Sequence, residues 1–353
     1  MAAAPDNSFA APVSPGARPP AGPVLVTGAT GFIGRAFAAS LRREGIALRC
    51  LVRDPRRALA VGLPASELVH GSLDQPESLG PAVEGASAIV HLAGATRALD
   101  AAGFRRANAE GTAALAAAAA GRSPGLRFVQ VSSLAAAGPS PDGRGTGAAP
   151  SDCRPCSRYG QSKLDGEREV LARADRLDWC VIRPPIVYGP GDDGTRLLVK
   201  QALGWVSPVP SVRRPLSLVH VDDLVAALRL ALASTGVHGF FPIDGPERSD
   251  TSSLVAAIAA AAGRRARCLP IPMFLARGAG HLADLVHRIR GVPGFFCADK
   301  LREASAVGWV ADPVPARERL GFTARIAIAA GFAATFAAEP ELLGSARINP
   351  AGG

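Results

Sequence analysis

The chain is 353 residues long, 48% apolar and 20% charged, with a formal charge of +9. A chain of this length buries a large core, as one large or two intimately joined domains, which excludes a disordered chain or a small disulfide scaffold. The positive charge comes from arginines scattered along the sequence, with only three lysines, so no basic block marks a nucleic-acid partner.

Residues 1–22 are rich in Ala, Pro and Ser but lack the basic start and compact apolar stretch of a secretory signal, and they read as a disordered extension. The longest apolar runs, 254–262 and 326–336, fall short of the roughly 20 residues that cross a bilayer, so no membrane partner is expected. Six irregularly spaced cysteines do not make a disulfide framework. A cytoplasmic location is expected.

From residue 24 short apolar runs alternate with longer Ala- and Leu-rich periodic segments. Strands and helices read this way when helices cover both faces of a parallel sheet. Strands are expected at 24–26, 47–52, 88–92, 128–131 and 179–182. Helices are expected at 33–44, 104–120, 159–174, 225–233 and 252–262. Prolines and glycines at 184–194 and 207–215 mark loops that serve as a substrate lid.

The first strand runs straight into Thr27-Gly28-Ala29-Thr30-Gly31-Phe32-Ile33-Gly34 and then an apolar helix. Glycines at 28, 31 and 34 permit a tight turn, close approach to a pyrophosphate and close packing of helix on strand, while the helix N-terminus supplies N–H donors. The expected fold class is therefore α/β: a Rossmann-type doubly wound parallel sheet with a smaller, mostly helical C-terminal substrate-binding region. The nucleotide-binding domain is expected at 23–190, with later segments returning to it. The substrate-binding region and C-terminal helices follow at 191–340, then a flexible tail at 341–353.

The end of the second strand selects the dinucleotide. The place of a ribose-binding acid falls on Val52, and Arg53 follows it. With Arg35 just past the glycine loop, Arg53 suits a 2′-phosphate; this favours NADP(H), with NAD as the alternative. Asp54 lies one place late and reads as a turn residue. Leu92-Ala93-Gly94 would let the chain pass the adenine and its ribose, and Ser72-Leu73 would lie beside the adenine. His91 reads as a packed core histidine rather than a ligand.

The chain has two tyrosines and three lysines, and one of each forms Tyr159-x-x-x-Lys163. At i and i+4 on a helix the two side chains share a face, so the ammonium can hold a ribose and lower the tyrosine's pKa. Tyr159 can then act as general acid or base at a carbonyl or alcohol oxygen. Ser133 sits at the C-terminal edge of the 128–131 strand, where such sheets bind ligands, and would hydrogen-bond the substrate oxygen; the bland reading of Ser132 and Ser133 is loop capping.

Together with Asn108-Ala109-Glu110-Gly111-Thr112, Arg183-Pro184-Pro185-Ile186-Val187-Tyr188-Gly189 and Val219-His220-Val221-Asp222-Asp223-Leu224, these residues resemble the extended short-chain dehydrogenase/reductase superfamily, also called the NAD-dependent epimerase/dehydratase family. The resemblance spans residues 24–336. It implies a catalytic set of Ser133, Tyr159 and Lys163, with Asn108 shaping the active-site helix. It also implies that Pro184 and Ile186 lie along the nicotinamide and that two copies pair through the helices of Phe104 and Tyr159. The run Val52-Arg53-Asp54-Pro55 looks like the dihydroflavonol-reductase branch, where the arginine meets the NADP phosphate.

Departures bear on substrate. Leu134-Ala135-Ala136-Ala137 lacks the acids that sugar dehydratases place after the catalytic hydroxyl. Ile186 and Leu216 stand where many sugar epimerases have asparagine and arginine, although Arg213 and Arg214 are near enough to substitute. Ser72 replaces the family's adenine-binding aspartate.

The expected activity is hydride transfer between NADP(H) and a small-molecule secondary alcohol or ketone. A nucleotide-sugar epimerase with tightly held NAD is the alternative, and a non-catalytic cofactor-binding subunit is a third reading. No metal is expected; Cys153-Arg154-Pro155-Cys156 has metal or redox spacing but no second pair. Asp222 and Asp223 read as helix N-caps, and Tyr188 as a wall of the nicotinamide or substrate pocket.

Overall fold

The computed structural model describes residues 22–294 and 297–344. The expected extension at 1–22 lies outside the described residues except for Gly22. The expected tail begins with a short helix, Glu341–Gly344, and its remainder is likewise outside them.

The main sheet is built from β1 (Val24–Thr27), β2 (Leu48–Val52), β3 (Leu68–His70), β4 (Ala88–His91), β5 (Leu126–Val131), β6 (Leu177–Arg183) and β7 (Phe240–Pro242). All neighbours pair in parallel, in the order β7-β6-β5-β4-β1-β2-β3. That order reverses between β1 and β4, as in a doubly wound nucleotide-binding sheet.

Alternation along each strand feeds two cores. Val24 and Val26 of β1 point into a cluster with Phe37, Leu41, Leu224 and Leu228, carried by the helices Phe32–Arg43 and Val221–Ala233. Leu25 points the other way, towards Leu115, Ala119 and Val170 on the helices Gly111–Arg122 and Arg158–Leu171. Successive side chains of a strand face opposite sides, so a sheet buried on both faces reads as a continuous apolar run.

β3 and β7 were not expected. Each has three residues, and β7 is Phe-Phe-Pro, whose terminal proline reads as a loop in one dimension. The expected 104–120 helix is three pieces: Ala101–Arg105, a π-helical turn Arg106–Glu110, and Gly111–Arg122. π-turns insert a residue and re-aim side chains, often beside functional sites. Here Asn108 lies in the π-turn and is 1% exposed.

The cap expected at Asp222 and Asp223 is instead His220, whose Nδ1 accepts from Asp222 N at 3.3 Å. Both acids lie in the first turn. Asp223 is buried and accepts from the backbone N–H groups of Arg325 and Ile326, so it fastens the C-terminal segment to the Val221–Ala233 helix.

At the end of β6 Arg183 is fully buried against Glu167 of the Arg158–Leu171 helix. Its Nε and Nη2 donate to the two Glu167 oxygens at 2.9 and 2.6 Å, and Nη1 donates to the carbonyls of Thr146 and Ala148 at 2.7 and 2.8 Å. This bidentate pair fixes the height of that helix against the sheet and ties down the loop preceding it.

Candidate active site

A cavity of about 1000 Å³ opens beside the C-terminal ends of β1, β4, β5 and β6. The glycine loop forms one wall. Gly28 has φ +71, and a Cβ there would stand 2.6 Å from Ala93 N; a Cβ at Gly34 would stand 2.1 Å from Gly28 O. The Phe32–Arg43 helix starts at Gly31 with no side-chain cap and no acid in its first turn, leaving its first N–H groups for a ligand.

Thr30, Gly31, Phe32, Ile33 and Arg35 line this wall together with Gly28 and Gly34. Arg35 is already engaged: its guanidinium donates to the carbonyls of Thr30 and Gly191 at 3.1 and 2.9 Å. Thr27 lies behind the wall. Its Oγ1 is 2.7 Å from His91 Nδ1 and accepts from Ala93 N at 3.2 Å. His91 is buried, its other ring nitrogen 3.0 Å from Thr112 Oγ1, and burial followed by the charge of Lys163 pushes its pKa down to about 3. It is a neutral packing histidine, as its sequence context suggested.

Of the residues expected along the adenosine half, Leu92 and Gly94 line the cavity, whereas Ala93, Ser72 and Leu73 do not. Ser72 is buried, and its Oγ accepts from Asp74 N at 3.3 Å. Leu73 packs against Gly111. Arg53 is exposed and off the cavity lining, but Arg57, within the helix that follows, lines it. Asp54 is more than a turn residue: it N-caps the Pro55–Ala60 helix, accepting from Arg56 N and Arg57 N.

Opposite the glycine loop, Ser133, Tyr159, Lys163, Asn108, Pro184 and Ile186 all line the cavity. Ser133 N-caps the short Leu134–Ala137 helix, accepting from Ala135 N at 3.1 Å, and lines the cavity together with Tyr159. The capping role read from the sequence is present, and it leaves the hydroxyl on the cavity wall. Ser132 Oγ is buried without a partner.

Tyr159 is the second residue of the Arg158–Leu171 helix, which Ser157 caps by accepting from Gly160 N at 2.9 Å. Burial raises the tyrosine's pKa, opposed by the charge of Lys300 and by the Ser133 hydroxyl. The cation that pulls it back is thus Lys300, not Lys163 as helix spacing suggested. Lys163 Nζ donates to Val131 O at 2.7 Å, and burial pushes its pKa down to about 8, partly countered by Glu167.

Asn108 acts at one remove. Its Oδ1 accepts from Ala95 N at 2.8 Å, and its Nδ2 donates to Ala95 O and Ser162 Oγ, both at 2.9 Å. It braces the loop after β4 against the helix of Tyr159 and Lys163.

The helix Ala298–Ala304 is a part of the site that sequence reasoning missed. Asp299 accepts from Arg158 N and Tyr159 N at 2.9 and 3.2 Å, and Glu303 accepts from Ser157 Oγ at 2.5 Å and Lys300 Nζ at 2.9 Å. Lys300 Nζ sits 4.7 Å from the centre of the Tyr159 ring. The scarcity of lysine that singled out Lys163 was the available signal, since Lys300 is another of the three.

Two expectations are corrected by burial. Tyr188 is 1% exposed and stacked on Phe332, 4.8 Å between ring centres, so it belongs to the C-terminal core and not to the cavity wall. Arg214 lines the cavity but donates to the carbonyls of Ser305 and Ala306, and Arg213 points outward towards Asp250. Cys153 and Cys156 are free thiols, and Cys153 is buried beside the Ala148 and Ala149 carbonyls. Among the described residues no cluster of His, Cys, Asp or Glu could hold a metal.

Comparison with known proteins agrees with this geometry. The profile of the NAD dependent epimerase/dehydratase family matches residues 24–240. The chain is 34% identical to a ceramide reductase of Caulobacter vibrioides over 318 residues, covering 89% of this chain and 93% of that protein. It is 30% identical over 279 residues, 75% of this chain and 80% of the relative, to a 4-hydroxy-2-methyl-3-oxo-4-farnesyl-3,4-dihydroquinoline-1-oxide ketoreductase of Stigmatella aurantiaca. The solved structure of MoeE5 in complex with UDP-glucuronic acid and NAD superposes with a TM-score of 0.69 at 26% identity, over 91% of this chain and 99% of that one. The chain belongs to the NAD dependent epimerase/dehydratase family and is an NAD(P)-dependent oxidoreductase or epimerase of the extended short-chain dehydrogenase type.

Proposed function

We propose that the protein interconverts a secondary alcohol and a ketone with NADP(H), and that Tyr159, Lys163 and Ser133 carry the chemistry. The observation that carries this reading is a half-buried tyrosine, one helical turn from Lys163, that lines with Ser133 a cavity beginning at a bare helix N-terminus.

The residues fit a dinucleotide. The cavity wall is backbone and glycine where a pyrophosphate needs close approach, and Gly31 lines it with only Gly28 O near the position of a Cβ. Gly28, Thr30, Gly31 and the first turn of the Phe32–Arg43 helix would hold the phosphates, and Lys163 the nicotinamide ribose. A bound nicotinamide supplies or accepts hydride.

The protein's own residues manage the proton and the charge. A pKa raised by burial keeps Tyr159 protonated at neutral pH, so it donates its proton to a ketone oxygen and becomes tyrosinate; in the reverse direction the tyrosinate takes the proton of the alcohol. Ser133 orients that oxygen by hydrogen bonding, and the ammonium groups of Lys163 and Lys300 stabilise negative charge as it develops. Asn108, Asp299 and Glu303 hold these groups in register.

NADP(H) is favoured because β2 ends without an available carboxylate: Val52 occupies the place of the acid, and Asp54 is committed as a helix cap. Arg57, which lines the cavity, would meet a 2′-phosphate. Arg57→Ala is expected to weaken NADPH binding about tenfold or more, the loss of a charged hydrogen bond, while NADH binding stays unchanged. Fluorescence titration checks this; equal affinity of the native protein for NADH and NADPH contradicts it.

Net redox is favoured over epimerisation of a nucleotide sugar by the state of the arginines. Arg214 is committed to two backbone carbonyls and Arg213 to the surface, so neither stands ready for a diphosphate. Two curated relatives being reductases points the same way. The free cysteines suit a reducing, cytoplasmic setting.

A further inference from the structure

The helix Met273–Arg290 is the longest in the described residues, and its main packing partner is the Ala298–Ala304 helix, through Gly280 against Leu301 and Asp284 against Ala298 N. Much of its apolar surface is uncovered. Phe274 is 72% exposed, Leu282 64% and Ile289 77%, with Leu275 and Val286 also exposed. At 3.6 residues per turn these five fall within an arc of about 120°, a single stripe. Arg288 and Arg290, both exposed, fall on opposite sides of that stripe.

The surrounding charge is one-sided. From Thr251 to Ala298 the chain carries six arginines and a single acid, Asp284, so much of the net charge of +9 is concentrated here. Arg265 and Arg267 are exposed just before the strand Cys268–Ile271, which leads into the helix and exposes Leu269. A second copy of this chain would bring like charges together at the stripe. An anionic bilayer surface offers both an apolar layer for the stripe and phosphates for the arginines, the arrangement of helices that lie in a membrane interface.

We propose that the Met273–Arg290 helix docks this protein onto the surface of an anionic lipid bilayer, and that its substrate is an amphiphilic alcohol or ketone drawn from that surface. The expectation of no membrane partner rested on span length, and an interfacial helix needs no span. The partner helix Ala298–Ala304 carries Lys300, Glu303 and Ala304, which line the catalytic cavity, so the docked element and the substrate entrance are joined. The statement about substrate rests on the alcohol/ketone reading above; the statement about docking does not.

Co-sedimentation of the full chain with phosphatidylcholine vesicles, with and without phosphatidylglycerol, tests the docking. The native protein is expected to bind the anionic vesicles about tenfold more tightly than the neutral ones, and Phe274→Asp/Ile289→Asp to lose about tenfold of that binding. Arg288→Glu/Arg290→Glu is expected to abolish the preference for anionic lipid. NADPH binding and turnover of a water-soluble ketone should be unchanged in both variants, which shows that they fold. Turnover of a long-chain ketone presented in anionic vesicles should fall about as far as vesicle binding does.

Native protein that stays in the supernatant with anionic vesicles overturns the docking proposal. So does a Phe274→Asp/Ile289→Asp variant that converts a dimer to a monomer on size exclusion while sedimenting unchanged, since the stripe then serves a second copy. Failure of docking leaves soluble-ketone turnover intact, whereas failure of the alcohol/ketone reading abolishes turnover of every ketone and leaves vesicle binding intact.

Discussion

Tyr159→Phe lowers kcat for ketone reduction about 1000-fold while leaving KM and cofactor affinity within about threefold, because a positioned general acid contributes roughly 10²–10⁴-fold. The substitution keeps the ring that packs 6.0 Å from Phe104 and lies beneath Lys300, so it removes the proton and little else. The native enzyme should also show an alkaline limb. Burial pushes Lys163 down to about 8, so the ammonium is present below that pH and lost above it. Tyr159, raised by burial, remains protonated across the same range. The kcat/KM for reduction is therefore level below about pH 8 and falls above it as Lys163 loses its charge. Steady-state kinetics of both proteins over pH measure this; unchanged turnover in Tyr159→Phe removes the tyrosine from the chemistry.

Glu167→Leu destabilises the fold by about 3–5 kcal/mol, the usual cost of leaving one member of a buried ion pair without its partner. Arg183 and Glu167 are both 0% exposed, and among the described residues no other carboxylate pairs with that guanidinium. Arg183 also holds Thr146 O and Ala148 O and covers the Phe240 ring at 4.4 Å, so the loop before the catalytic helix and strand β7 loosen with it. Glu167→Gln, which keeps a hydrogen-bonding oxygen, costs less. The double variant Glu167→Leu/Arg183→Met costs less than the two single changes added together, because no unpaired charge remains buried. Urea unfolding of the native protein, the three single variants and the double variant checks the order; a loss below about 1 kcal/mol in Glu167→Leu contradicts a structural role for the pair.

Five of the seven sheet strands were legible because each is a short apolar run buried on both faces, and β1 was marked further by the glycine loop after it. The Tyr159/Lys163 pair was legible because helical spacing is local and both residue types are rare in this chain. What escaped the sequence depends on long-range partners. Nothing near residue 159 signals that Asp299, 140 residues away, receives the N–H of Tyr159, or that Lys300 shares its ring. Asp222 and Asp223 looked like caps because acids favour helix starts, but the buried His220 takes the capping role and Asp223 holds the backbone N–H groups of Arg325 and Ile326 instead. Arg53 precedes the Pro55–Ala60 helix and Arg57 lies within it, and only that helix brings Arg57 to the cavity. The π-turn at Asn108 escaped for a similar reason: an Ala-rich helical pattern carries no mark of one inserted residue.

The most direct test of the account follows the hydride itself. A panel of short- and long-chain ketones is incubated with NADPH carrying deuterium at the transferable nicotinamide position, and products are read by mass spectrometry. The account predicts an alcohol with one deuterium at the carbinol carbon, one NADPH consumed per product, and none of this with Tyr159→Phe. A nucleotide sugar interconverted with no net loss of NADPH, while every ketone is left unlabelled, would contradict it.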